Sequence, residues 1–262
     1  MPLFFVALTL FSSVLAQEFN YRRAYQDYLH SDSLYTQAHD EYVLKRANYL
    51  RYQTLVSKEE ATQATLIMLQ ARDETLKTLL TAIRMKIKEN EGVTDSQKES
   101  LYSRLDPEVK FYEDHRTQLA GAGSLDDLVS ASDLAEKRYT GVTENLIYTS
   151  LLAISIGKTN KSRQTTGQIA SALKAKVSEI TENGDKDVSF LDRYFSDMES
   201  KLSESQKKAE EAEKVMAKAE KAAVRSRSSY YLDALGNVQG AYNYIKEVAT
   251  NLEEMVRLIK TN

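Results

Sequence analysis

Apolar and aromatic positions recur along this chain with a helical period. Tyr21, Tyr28, Tyr35, Tyr42 and Tyr49 stand seven residues apart, with Tyr25 and Tyr52 beside them. A seven-residue repeat returns a side chain to nearly the same side of an α-helix, so the rings form one stripe. Ala24, Ser31 and Ala38 alternate with them on that face. Past Val56 the apolar phase moves, then resumes at Leu66, Leu69, Leu76, Leu80, Ile83 and Ile87. No glycine or proline interrupts the span, so the pattern predicts one continuous helix over about 18–89, with a bend possible where the phase shifts. A helix of about 70 residues would span on the order of 105 Å. A Ser57–Glu60 capping box offers an alternative start for a second helix.

Gly92 marks the first clear break. Thr94 with Gln97, or Ser96 with Glu99, caps a short helix over about 95–105. Asp106-Pro107 is a start signal for a second short helix, about 107–120, ending before Gly121-Ala122-Gly123. The pair reads as a cap at one end of a rod. Ser124 and Asp127 then open a long helix over about 124–182, whose core line runs through Leu128, Ala135, Tyr139, Leu146 and Ile156. From Gly157 to Gly167 the pattern fades, leaving Asn160 and Arg163 at core positions. A wet layer and a real interruption both fit.

Asn183-Gly184-Asp185 is a turn signal, followed by a last long helix over about 187–260. Phe195, Met198 and Leu202 lead into an alanine-lined seam at Ala209, Ala212, Ala219 and Ala223. The phase slips by one residue at Tyr230-Tyr231, and the nearby Gly236 and Gly240 fit a kink or a second helix. The expected fold is all-α: an elongated, coiled-coil-like antiparallel bundle of three long helices with a short two-helix cap. It forms a single domain over 17–262.

Composition agrees with the helical class and narrows the compartment. The 262 residues include two prolines, nine glycines, no cysteine and no tryptophan, and 28% are charged. A formal charge of −3 argues against nucleic acid and against a polybasic membrane patch. Residues 1–16 read as a signal peptide: Leu3–Leu15 is uncharged, apolar and too short for a membrane span. Val14 and Ala16 fit a cut before Gln17, although no Lys or Arg precedes the apolar run. The expected product is exported to the periplasm, cell surface or exterior, without disulfides, lipid anchor or membrane span.

Candidate chemistry is sparse. Gly157-Lys158-Thr159 ends like a phosphate-binding loop but has Leu152 where the first glycine belongs. Ser155/Lys158 and Ser171/Lys174 match S-x-x-K without companion motifs. Asp185 and Asp187 open a calcium-loop pattern that fails at Phe190 and Ser196, where glycine and glutamate are required. His30, His39 and His115 lack zinc-ligand spacing. Asn160-Lys161-Ser162 is a glycosylation sequon, meaningful in a eukaryotic source. No cofactor or metal site is expected.

The apolar stretch Leu146–Ile156 reads as bundle core rather than as a toxin's inserting segment. The tyrosine stripe reads first as a core wall, and second as an exposed track for a partner helix or a glycan polymer. Tyr25 and Tyr52, off the main stripe, are the candidate partner-binding residues. The expected function is therefore that of a non-enzymatic interaction protein acting by protein–protein contact or self-association. A holdase-type chaperone with apolar arm tips and a helical toxin component are the alternatives.

Overall fold

The computed structural model describes residues 19–183, 189–219 and 222–261, and the regular structure among them is helical. The expected leader, 1–16, lies outside the described residues.

The tyrosine stripe is covered by a hairpin. Helix α1 (Tyr21–Tyr52) turns back into α2 (Leu55–Lys88), so the expected continuous helix over 18–89 does not form. The Tyr21 backbone N–H donates to Glu89 Oε1 at 2.7 Å, which sets the start of α1 beside the end of α2. Gln53 adopts a left-handed conformation (φ 51°), and Thr54 and Ser57 cap each other's backbone N–H groups reciprocally. The box thus begins three residues before the Ser57–Glu60 alternative. Packing decides the break: a lone helix would leave the stripe wet, whereas folding back brings it against α2. The five stripe tyrosines end half-buried, above a seam in which Ala24 and Ser31 are buried. Ser31 Oγ and Thr78 Oγ1 meet across that seam at 2.6 Å.

Helix α3 (Asp95–Leu119) runs back along α2 as one helix, not as two short capping helices at 95–105 and 107–120. Pro107 lies inside it. An interior proline removes a hydrogen bond and costs about 3 kcal/mol. The helix persists because Leu101, Leu105, Glu108, Tyr112, His115 and Leu119 keep one buried phase straight through the proline. Asp106, the expected N-cap, instead pairs with Arg84 of α2 at 2.6 Å.

Helix α4 (Leu125–Arg138), a π turn (Tyr139–Thr143) and α5 (Glu144–Glu182) follow without a gap. This spine carries the chain for on the order of 85 Å. The polar interval from Gly157 to Gly167 stays helical. After a short 3₁₀ turn (Ser189–Leu191), α6 (Asp192–Ala219) returns along α5, and α7 (Val224–Thr261) runs back along α6. The expected single helix over 187–260 is therefore a second hairpin. Its break lies ahead of the Tyr230-Tyr231 slip, at Ala222 and Ala223, where Ser226 N–H bonds Ala223 carbonyl at 2.9 Å.

Two lobes thus share one spine. The first packs α1, α2 and α3 on α4 and the start of α5, around Leu80, Ile87, Leu105, Tyr112 and Leu146. The second packs α6 and α7 on the rest of α5, around Phe195, Met198, Val248, Leu252 and Met255. Apolar residues of Leu146–Ile156 lie on more than one side of the helix because the lobes take different faces of it. Leu146 and Ile154 join the first core, Leu152 and Ile156 a cluster with α6 and α7.

The lobes meet where the α2–α3 turn lies flat on α5. A Cβ on Gly92 would stand 1.7 Å from the Gly157 carbonyl oxygen, and one on Gly157 would stand 2.6 Å from Val93 Cγ2. Asn90 closes the joint: its Oδ1 accepts Gly92 N–H at 3.0 Å and its Nδ2 donates to Ile154 carbonyl at 2.8 Å. Gly92→Ala should therefore cost about 3 kcal/mol by forcing two backbones apart. Gly236→Ala, in open space inside α7, should gain roughly 0.5–1 kcal/mol. Urea midpoints measured at unchanged slope check both; equal effects would contradict the flush contact.

Candidate functional site

The first lobe buries a group of ionisable side chains between α2, α3 and the spine. Asp73, Glu108 and His115 are almost wholly buried, as are Tyr112 and Thr143. His115 and Glu108 share the buried phase of α3, and Asp73 faces them from α2. The π turn completes the arrangement. There Glu144 N–H reaches Tyr139 carbonyl, five residues back, and Thr143 is carried inward.

The hydrogen bonds form two sets. Thr143 Oγ1 donates to Glu108 Oε2 at 2.8 Å, which leaves Tyr112 hydroxyl to donate to Thr143 Oγ1 at 2.9 Å. Arg138 clamps the same carboxylate, with Nε on Oε2 at 3.1 Å and Nη2 on Oε1. In the second set, His115 Nδ1 meets Asp73 Oδ2 at 2.5 Å while Nε2 donates to Ala131 carbonyl at 3.0 Å. Arg72 Nε lies 3.5 Å from Asp73 Oδ1, and both atoms are buried without a hydrogen-bond partner.

These geometries resemble catalytic ones and lack their essential feature. A general base needs a free lone pair facing a substrate proton. His115 spends both ring nitrogens on protein acceptors, and Glu108 is held by three donors. No hydroxyl nucleophile faces either group from a cleft. The network ties α2, α3 and the spine in one register. Burial pushes the Tyr112 phenol up to about 12, with the Thr143 hydrogen bond opposing. Periodicity alone could have flagged Glu108 and His115, which interrupt an otherwise apolar 3–4 repeat.

The motifs suggested by sequence do not assemble. Ser155 Oγ donates to Leu151 carbonyl, and Lys158 is exposed. Ser171 Oγ donates to Gly167 carbonyl, while Lys174 pairs with Glu199 at 2.9 Å. Asn160 and Arg163 form a polar layer against α6: Asn160 Oδ1 and Arg163 Nη1 are buried without partners, and burial lowers the Arg163 pKa. A helical, half-buried Asn160 does not present its sequon in the folded chain. His30 and His39 are exposed on α1. Among the described residues no three His, Asp or Glu side chains converge as a metal site requires; Asp185 and Asp187 lie outside them.

Tyr25 and Tyr52 both face solvent, at 41% and 58% exposure. They are not brought together: 27 residues of helix separate them by about 40 Å. Tyr25 stacks on Tyr21 at 5.6 Å, and Tyr52 lies under the Arg51 guanidinium at 5.2 Å. With Tyr25, one side of α1 exposes Leu29, Val43 and Leu50. Where the lobes meet, an open polar cleft of about 660 Å³ is lined by Lys86, Glu89, Lys158, Lys161 and Tyr242. Its charges are partly spent, Lys161 on Glu91 at 2.7 Å and Lys86 on the Tyr21 ring at 4.3 Å.

Removing Glu108 as a carboxylate strands Thr143 and Arg138, though Arg138 is exposed enough to regain water. Glu108→Ala should cost about 2–3 kcal/mol in chemical denaturation. A loss near zero would mean the clamp holds nothing together. For Tyr112, a folded pKa above the unfolded value of about 10 contributes stability that is complete below pH ~10 and is lost as pH rises through about 12. Alkaline difference spectra should show one phenol titrating last, and Tyr112→Phe should remove it.

Comparison with known protein families, curated proteins and solved structures finds no match, so the functional reading rests on this chain's own geometry.

Proposed function

We propose that the protein is an exported, non-enzymatic helical interaction module that works by protein–protein contact through the outer side of α1. One observation carries the reading. Helix α1 packs on α2 through a seam with only Ala24 and Ser31 buried, and it turns Tyr25, Leu29, Val43 and Leu50 to solvent along one side. Leu29, Val43 and Leu50 repeat at multiples of seven residues, the spacing a partner helix can follow. The ionisable groups of the first lobe are, by contrast, buried, with Glu108 and both ring nitrogens of His115 held by protein partners.

Helix α1 borders the cleft between the lobes at its start, through Tyr21 on Glu89, and runs from there to the α1–α2 turn. Export rests on the Leu3–Leu15 apolar run and the Val14/Ala16 cut site. A gripping chaperone would need facing apolar arm tips. The α1–α2 turn is one such tip, but Arg227 Nη1 holds the α6–α7 end to the spine at Thr140 carbonyl, 2.7 Å away. That favours contact along a face over enclosure. No described helix is long and apolar enough to cross a membrane.

A photo-crosslinker at Leu29, installed in the native host, should give a discrete protein adduct, while the same group at Gln26 should not. The recovered protein should begin at Gln17. Indistinguishable labelling from both positions would sink the α1 face, and a cytoplasmic product retaining Met1 would sink export.

A further inference from the structure

The α1–α2 turn is the most apolar exposed point of the described chain. Leu50, Tyr52, Leu55 and Val56 are each between 56% and 72% exposed within seven residues. The turn also projects. The start of α4 at Leu125 lines the same cavity as Leu50, Ala61 and Thr65, so the turn at Gln53-Thr54 stands roughly one helical turn, about 5 Å, beyond it.

We propose that this tip docks shallowly into an anionic lipid surface. Shape is the first ground. Leu50 and Tyr52 lie two residues apart on α1, about 200° around its axis, and Leu55 and Val56 continue around the first turn of α2. The apolar side chains therefore surround the tip instead of forming one face. A protein partner needs a flat or concave patch of roughly 800 Å² per side. A liquid acyl boundary can wrap a point from all directions.

Charge is the second ground. Residues 45–60 carry four cations (Lys45, Arg46, Arg51 and Lys58) and two carboxylates (Glu59 and Glu60), an excess of two cations in a chain of net −3. Lys45 takes Glu60 at 3.2 Å and Glu41 at 3.6 Å. Arg46, Arg51 and Lys58 are exposed and have no described carboxylate within 4 Å. They make a collar about one turn behind the apolar tip, at the depth where lipid phosphates would lie. Asp126 and Asp127, in the first turn of α4, stand level with Arg46, while Arg51 and Lys58 lie nearer the tip.

The backbone is the third ground. Gln53 N–H bonds Tyr49 carbonyl at 2.9 Å, and Thr54 and Ser57 N–H groups are taken by each other's hydroxyls at 3.1 Å. Three donors that a turn would otherwise leave to water are thus satisfied internally, which lowers the penalty for entering a drier phase. This surface is separate from the proposed partner side of α1, except that Leu50 borders both.

The chain from Gln17, which holds every described element, is mixed with phosphatidylcholine vesicles or with equal phosphatidylcholine and phosphatidylglycerol. Because the chain has no tryptophan, Leu55→Trp reports from the tip and Leu232→Trp from the second lobe. Anionic vesicles should blue-shift Trp at 55 and brominated acyl chains should quench it, with Trp at 232 unchanged. Leu55→Ser with Val56→Ser, and separately Arg46→Gln with Arg51→Gln and Lys58→Gln, should each weaken co-sedimentation about tenfold. Both sets replace exposed side chains, and circular dichroism verifies the helices. No binding, equal binding to pure phosphatidylcholine, or equal shifts at 55 and 232 would overturn the proposal. So would tip-dependent suppression of client aggregation without vesicle binding, which would assign the tip to unfolded protein.

Discussion

The contact on which the architecture turns is the flat seating of the α2–α3 turn on α5 at Gly92 and Gly157. Two backbones approach to a distance that no Cβ would permit. Asn90 uses one amide for two tasks, closing its own turn and fastening that turn to the spine. The end of α2, the start of α3 and, through Glu89, the start of α1 are all located by this joint. It also sets the floor of the cleft between the lobes. A single pair of glycines thus governs how a hairpin and a helix are hung on an 85 Å-scale spine.

The two lobes are specified differently. In the first, a slip of α3 by one turn would leave Glu108 and His115 buried without partners, a loss exceeding that of one apolar contact. Charge therefore fixes register there. In the second, Ala209, Ala212, Ala219, Ala234 and Ala241 are buried where α6 meets α7. Small side chains permit close approach and leave register to the larger Phe195, Met198 and Met255 at the far end.

Helical class, the Gly92 and Gly121-Ala122-Gly123 breaks and the start at Ser124 were all legible in the sequence. The two hairpin turns were not, because neither uses glycine or proline: Gln53 takes a left-handed conformation unaided by residue type, and Ala222-Ala223 looks helical. Asp106-Pro107 misled in the opposite direction, since the buried phase of α3 outweighs one missing hydrogen bond. Tyr25 and Tyr52 could be picked out by their phase, and both are exposed. Their separation followed from helix length. The apolar tip was hidden by the missed turn, as Leu50 to Val56 sit mid-pattern in a continuous helix. The Asp73–His115 and Glu108–Arg138 pairs join residues 42 and 30 positions apart, beyond the reach of any local pattern.

The stretch from Leu146 to Ile156 belongs to both cores at once. Opening the first lobe would uncover Leu146 and Ile154, and opening the second would uncover Leu152 and Ile156, on neighbouring turns of the same helix. Neither half can melt without stripping cover from a segment the other half needs. Through the shared spine, the cover of one lobe's core thus depends on the other.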